Sequence, residues 1–469
     1  MSIPYAKLNT NTMIQGVERI ASVLLGIAII SALTRLLGVA QFGIYSTITV
    51  LLQFAASIVD LGLGLTLSQL LAEPKADPAR ILGSMIPFRL LTSAVSLLGA
   101  LAVSLMFGYP AIVPLGILAS FGGFICLQLS QLLSGYFRTT LAMGIVAVAE
   151  IFQRTLYLFL LLWLPTGSST LLLPVLWAGT ITQLIGLLIV VVRLGKRVPL
   201  RWNWDRAMLT SILRRNLPLS LSMLATLIYF KADTVILSLF RTPAEVGLYS
   251  APYRLLETLV NMPHLFLSLV LPIATTAWHT RDFEKLRSLA RWSFTTTLVI
   301  ALPMLVGGIM VAEPLMTLVA GRDFAASGSI LQILLIATFA IMIGTQSAYI
   351  VLATNHQRRM LPLYVIAAVC ALASYLLFIP RYGYWAAAWT TVGVEVMMAT
   401  ANIILAAHVL RWRPDQRQLT QVTAATIVMA IGLVLLHGQT PLMIVPAAAL
   451  LYGLTLLFSR FKLTPPEKS

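Results

Sequence analysis

Charge is what this chain of 469 residues has least of: only 10% are Asp, Glu, Lys or Arg, against 59% hydrophobic. A soluble chain needs about a quarter of its residues charged to cover its surface. A water-exposed globular fold is therefore excluded, and the mean hydropathy of +0.91 agrees. Cysteine is nearly missing. Cys126 and Cys370 both fall inside apolar runs and are too few for a disulfide framework or a metal cluster, so each reads as a small buried hydrophobe. Catalytic signatures are missing as well: there is no GxxxxGK, no HExxH and no cysteine–histidine pair at metal spacing. His264, His279, His356, His408 and His437 are scattered along the chain. ATP hydrolysis by this chain is excluded, the protein reads as a non-enzyme, and no cofactor or metal is expected. The first dozen residues are polar and the first apolar run is too long for an h-region, so no cleavable signal peptide is expected.

What the chain has in quantity is long apolar runs. Fourteen are long enough to cross a bilayer, at about 12–36, 41–70, 80–107, 111–135, 141–164, 169–193, 216–240, 246–275, 289–319, 327–353, 360–379, 384–410, 418–436 and 440–459. Breaks at Pro110, Pro165, Pro243, Gly321 and Pro380 separate neighbours, where a helix cannot continue. The 32 Lys and Arg residues are distributed unevenly over the connections. The termini and even-numbered loops hold 24; the odd-numbered loops hold only Arg35, Arg241, Arg322 and Arg381. That asymmetry places both termini in the cytoplasm of a multi-pass inner (plasma) membrane protein. The net charge of +16 is thus a topology signal and an attraction to anionic membrane lipids, not a nucleic-acid footprint.

The stretch from Ala32 to Ser46 recurs ungapped as Ile236 to Ser250, with Leu33/Leu237, Ala40/Ala244, Gly43/Gly247, Tyr45/Tyr249 and Ser46/Ser250 identical. An offset of six spans gives both copies one orientation, so the halves are parallel repeats. The expected fold class is an all-α polytopic membrane protein: about 14 transmembrane helices, with two parallel six-helix lobes around a central cavity plus a C-terminal helix pair. The expected boundaries are 1–195 for the first lobe, 196–215 for a basic amphipathic linker, 216–411 for the second lobe and 412–469 for the added pair and tail. In the linker, Trp202, Trp204, Met208, Leu209, Ile212 and Leu213 alternate with Arg206, Arg214 and Arg215, which describes a short helix on the inner leaflet.

Ionisable residues inside spans cost roughly 2.5–3.5 kcal/mol each at a helix centre, and so point to function. The bases are Arg89, Arg154, Lys231 and Arg254; the carboxylates include Asp60, Glu150, Asp233, Glu257 and Glu395, with Glu18 and Arg19 near the inner end of the first span. Glu150/Arg154 and Arg254/Glu257 are spaced to meet on one helix face. Two readings stand: neutralised pairs that glue helices, or a hydrated cavity whose basic groups hold an anionic headgroup.

The segments Arg35 to Ser46, Asp60 to Glu73, Phe230 to Arg254, Ala312 to Phe324, Leu352 to Met360 and Phe378 to Trp389 resemble, in order, bacterial polysaccharide-export flippases. These belong to the multidrug/oligosaccharidyl-lipid/polysaccharide (MOP) exporter superfamily. The resemblance implies alternating access by a monomer that moves undecaprenyl-pyrophosphate-linked oligosaccharide outward for O-antigen, capsule or exopolysaccharide synthesis. A polysaccharide polymerase and a chain-length regulator would be partners. It places Asp60 and Asp233 at motif positions opening onto the cavity. Arg89, Arg154, Lys231 and Arg254 are inferred headgroup contacts, and Asp60, Glu150, Asp233 and Glu257 are cavity carboxylates for ion coupling. Gly43 and Gly247 are expected in tight turns, while Tyr45, Tyr249 and Tyr253 would anchor at the interface or stack on sugars. The alternatives are an ion-coupled multidrug/cation antiporter of the same superfamily, a lipid II flippase, or an integral-membrane polymerase or glycosyltransferase. No outward loop is long enough for the last.

Overall fold

The computed structural model describes residues 5–60, 63–71, 73, 76–140, 142–165, 171–199, 202–436, 441–459 and 461. Among them every regular element is helical. Two compact units divide the chain, Met1–Gly247 and Leu248–Ser469.

The first unit begins with α1 (Tyr5–Asp60), 56 residues long and broken once, at Gly38 with φ 65° and ψ 179°. A straight helix of that length would span about 84 Å, far beyond the roughly 30 Å hydrocarbon core. The break therefore divides it where the sequence predicts a boundary between two spans. Only glycine adopts that backbone conformation without strain. Then follow α2 (Leu63–Leu71), α3 (Pro78–Met106), α4 (Ile112–Ala119), α5 (Phe121–Thr139), α6 (Met143–Trp163), α7 (Leu172–Gly195) and α8 (Arg206–Phe240). The second copy of the repeat breaks at the position matching Gly38: α8 ends at Phe240 and α9 (Pro243–Val260) begins three residues later.

The second unit continues with α10 (Met262–His279), α11 (Phe283–Ala320), α12 (Ser327–Ala353), α13 (Leu361–Tyr382), α14 (Tyr384–Leu410), α15 (Gln416–Leu435) and α16 (Pro441–Phe458). Its centre is α12, packed between α11 and α14. A Cβ at Gly344 would lie 2.9 Å from the Ala399 Cα, so glycine lets α14 close in. The last pair packs on α11, where the Tyr452 hydroxyl donates to the Val299 carbonyl at 3.0 Å.

Among the described residues ten helices are long and apolar enough to cross a membrane, or eleven if α4 and α5, bent by 46°, form one broken span. The expected fourteen are not reproduced as separate helices. The difference lies in α1, which is continuous but for Gly38; in the broken α4/α5 pair; in α8, where side chains 213–226 lie outside the described residues; and in α16, whose apolar part is short. Large apolar side chains such as Leu105, Met106, Leu162 and Trp163 are exposed, which suits lipid and not water.

Aspartates start the helices that follow basic loops. Asp77 accepts from the Ala79 and Arg80 amides, Asp205 from Met208, Asp282 from Lys285 and Asp415 from Arg417. Lys and Arg in a first turn oppose the helix dipole, and the carboxylate cap offsets them.

Three sequence expectations change here. The linker forms no separate surface helix: residues 202–205 are non-helical, and the apolar face of 206–212 opens α8. Leu209 and Ile212 are buried, and Ile212 joins a core with Leu82, Met85 and Leu194 of α3 and α7 instead of meeting lipid. Trp202 and Trp204 do stay exposed. Gly43 and Gly247 are helical, not in turns; their use is described below. Cys126 is buried, but Cys370 is exposed on α13, since one outer face of that helix carries no packing partner.

Candidate functional site

Helices α5, α6 and α7 and the second segment of α1 line an open cavity of about 630 Å³ in the first unit, with Leu227 of α8 at one wall. Small residues make room for the polar groups. The Tyr157 ring of α6 lies over Gly179 of α7, where a Cβ would come within 3.7 Å. Gln153 lies over Gly186, where a Cβ would meet its Oε1 at 2.8 Å. Thr180 crosses Gly123 and donates to the Ala119 carbonyl at 3.1 Å. A larger residue at Gly123, where a Cβ would meet the Thr180 Cα at 2.9 Å, would push α5 and α7 apart.

The described lining is uncharged and mixed, with amides and hydroxyls set among apolar side chains such as Leu52, Phe124, Leu127 and Val175. Gln53, Gln128, Gln131, Gln153 and Gln183 face the cavity together with Tyr45, Tyr157, Thr49, Ser57, Thr180 and Thr182. Gln153 and Gln183 sit at the middle of α6 and α7, hence at mid-membrane depth. None of the five glutamine side chains is hydrogen-bonded to a described residue, although Gln128 is only 3% exposed. Gln53 and Gln131 are exposed and Gln153 and Gln183 half-buried, so these amides face open space in which water or a ligand can pair with them.

None of the seven sequence-derived site residues whose side chains are described lines this cavity. Arg89, on α3, is 2% exposed and stands behind the wall: its Nε donates to the Gln128 backbone carbonyl at 3.4 Å. Arg154 is half-buried and directed at α1, with Nη1 3.8 Å from where a Cβ of Gly26 would lie. Glu150, one turn earlier, is exposed. On α8, Lys231 is half-buried and Asp233 fully buried, its carboxylate accepting from the amide and hydroxyl of Thr234. Arg254 and Glu257 are half-buried on α9. The side chain of Asp60 lies outside the described residues. Glu395 is buried on α14.

Of the three tyrosines, only Tyr45 lines the cavity; Tyr249 and Tyr253 are buried against each other, ring centroids 5.5 Å apart, and neither anchors at an interface. Reading only ionisable residues passes over the glutamines. The available signal was a set of amides near the centres of neighbouring apolar runs, each in need of a partner.

Residues 8–278 match the family described as polysaccharide biosynthesis protein. No curated protein sequence matches the chain. Among solved structures it resembles the lipid II flippase MurJ in an inward closed conformation, with TM-score 0.75 at 12% identity over 96% of this chain and 99% of that one. An inward-facing multidrug resistance MATE-family transporter of the MOP superfamily gives TM-score 0.69 at 14% identity, over 84% of this chain and 98% of the other. A MOP-superfamily transporter from Pyrococcus furiosus, described by the reverse polarity of its binding pocket, gives 0.51 at 14% identity, over 87% and 95%. At such identities the likeness is one of fold.

Proposed function

The chain belongs to the polysaccharide biosynthesis protein family, and from that premise we propose that it is a flippase for isoprenoid-pyrophosphate-linked oligosaccharide. The lipid-linked sugar would move outward across the inner membrane by alternating exposure of its site to the two leaflets, with both termini cytoplasmic. The observation that carries this reading is a cavity between membrane-spanning helices whose described lining sets five glutamine amides, and no charged side chain, among apolar groups, in a protein of this family. A polyprenyl chain needs only lipid, whereas a hydrated sugar needs partners through the bilayer. The bases Arg154, Lys231 and Arg254 are assigned to the pyrophosphate, for which cationic groups are suited. Arg89 is assigned instead to holding the Gln128 backbone, because it is sealed from any headgroup.

An antiporter of multidrug cations is the weaker reading, since among the described residues no side chain lining the cavity offers a cation a negative charge. Deletion of the gene tests the proposal. Lipid-linked oligosaccharide is expected to accumulate on the cytoplasmic leaflet, with surface polysaccharide lost. Its absence there, or its exposure outside as in wild type, would overturn the proposal.

A further inference from the structure

We propose that the glutamine cavity is the glycan site: it holds the uncharged sugar rings of the substrate and leaves the pyrophosphate outside. This rests on the flippase reading and adds to it a substrate class, an oligosaccharide whose rings in the site carry no carboxylate or amine charge. The first support is that no described side chain in the lining carries a charge. A phosphate or uronate held here would lose its water with no cation to replace it, and such burial is far costlier than that of a hydroxyl.

The second support is the unmet hydrogen-bonding capacity. Each glutamine offers one carbonyl and two N–H groups, a set that pairs with sugar hydroxyls, which donate and accept from one atom. Five such amides face this space without a partner among the described residues: Gln128 nearly sealed, Gln153 and Gln183 half-buried, Gln53 and Gln131 exposed. An apolar drug would leave them unsatisfied, and water alone needs no such concentration of amides. Tyr45 and Tyr157 add amphipathic rings of the kind that lie against the apolar face of a pyranose.

The third support comes from the repeat. Tyr45, Thr49 and Gln53 on one face of α1 correspond to Tyr249, Tyr253 and Glu257 of α9. There Tyr253 is 4% exposed and its ring fills the space beside Tyr249. The chain thus contains both a filled and an open version of one helix face, and Thr49 is the residue that keeps the first open.

The test uses the full-length protein in nanodiscs and saturation-transfer NMR with chitotetraose, maltotetraose, tetragalacturonate and inorganic pyrophosphate. Transfer to at least one neutral tetrasaccharide is expected, at least fivefold above that to tetragalacturonate. It should disappear in Thr49→Tyr, which copies the filled repeat, and in the Gln153→Leu/Gln183→Leu double variant, which keeps side-chain size. Any broadening of the pyrophosphate 31P signal should be the same in all three proteins. Lack of transfer to both neutral sugars, equal transfer to the uronate, or transfer that survives both variants would overturn the glycan site. The two proposals fail separately. If deletion strands lipid-linked oligosaccharide inside while Thr49→Tyr exports normally, the glycan site is wrong and the flippase stands. If deletion strands nothing while Thr49→Tyr abolishes the sugar signal, the site stands and the flippase fails.

Discussion

The two copies of the repeat keep the same scaffold and present different chemistry. At spacings of four, which keep side chains on one helix face, the first copy reads Tyr45, Thr49, Gln53, Ser57 and the second Tyr249, Tyr253, Glu257, Asn261. The first set lines a cavity. In the second, Tyr249 and Tyr253 are 0% and 4% exposed, Glu257 is half-buried, and the Asn261 amide turns back to donate to the Glu257 carbonyl at 2.7 Å. What stays constant is the backbone device: the break at Gly38 or Thr242, then a glycine five residues on. Duplication conserved how the helices meet, and divergence acted on what one face shows.

The largest effect is expected where the copies agree. In the first unit α1 and the start of α9 cross backbone on backbone. A Cβ at Gly43 would lie 1.8 Å from the Pro243 carbonyl oxygen, and one at Gly247 would lie 2.1 Å from that of Val39. Backbone cannot swing aside as a side-chain tip can, so Gly43→Ala and Gly247→Ala should each cost about 3 kcal/mol or more. Gly38→Ala meets no atom within 4 Å and costs only the strain of its positive φ, about 2 kcal/mol. Thermal unfolding of the detergent-solubilised variants ranks the three. If Gly43→Ala melts with wild type, the crossing is not as tight as described.

The next effect separates the two faces. Tyr253→Thr removes a buried ring from a filled site and should cost about 3 kcal/mol, because the surrounding helices relax only in part. Thr49→Tyr, placing a ring into space already open, should cost less than about 1 kcal/mol while abolishing polysaccharide export. Melting temperatures and surface polysaccharide, measured together, check both. Equal destabilisation by the two exchanges would mean that the faces do not differ as filled and open.

The fold was legible because it is written in long-range patterns: apolar runs, basic loops and a 15-residue echo. Each is averaged over many residues and survives local error. Helix count was less legible, because Gly38 interrupts α1 without ending it and Ser120 bends α4 into α5. The linker misled for a different reason. The apolar stripe with Leu209 and Ile212 is the same whether it meets lipid or the core formed by α3 and α7, and only packing decides. The cavity was least legible. Arg89 announces itself by charge yet is sealed behind a wall, whereas Gln153 and Tyr157 look unremarkable until Gly186 and Gly179 are seen to make room beside them.

The smallest effect concerns a joint that only the first unit is described to have. Asp205 caps α8 and accepts from Arg80 Nη2 at 2.6 Å, while the Asn203 amide donates to the Gly83 carbonyl at 3.1 Å, tying the linker to α3. The Met208 amide first, and Arg80 second, hold the Asp205 carboxyl below its ordinary value of 3.8. A depressed carboxylate pKa contributes stability that is complete above the unfolded value and fades as pH falls through the folded one. The joint should therefore hold at neutral pH and loosen below about pH 4. Arg80 is 63% exposed, so screening keeps the effect small. Hydrogen exchange of residues 203–212 is expected to speed up on acidification in wild type. In Asp205→Asn it should already be faster at neutral pH and change less with acid. Identical pH dependence in the two proteins would show that Asp205 does not fasten the joint.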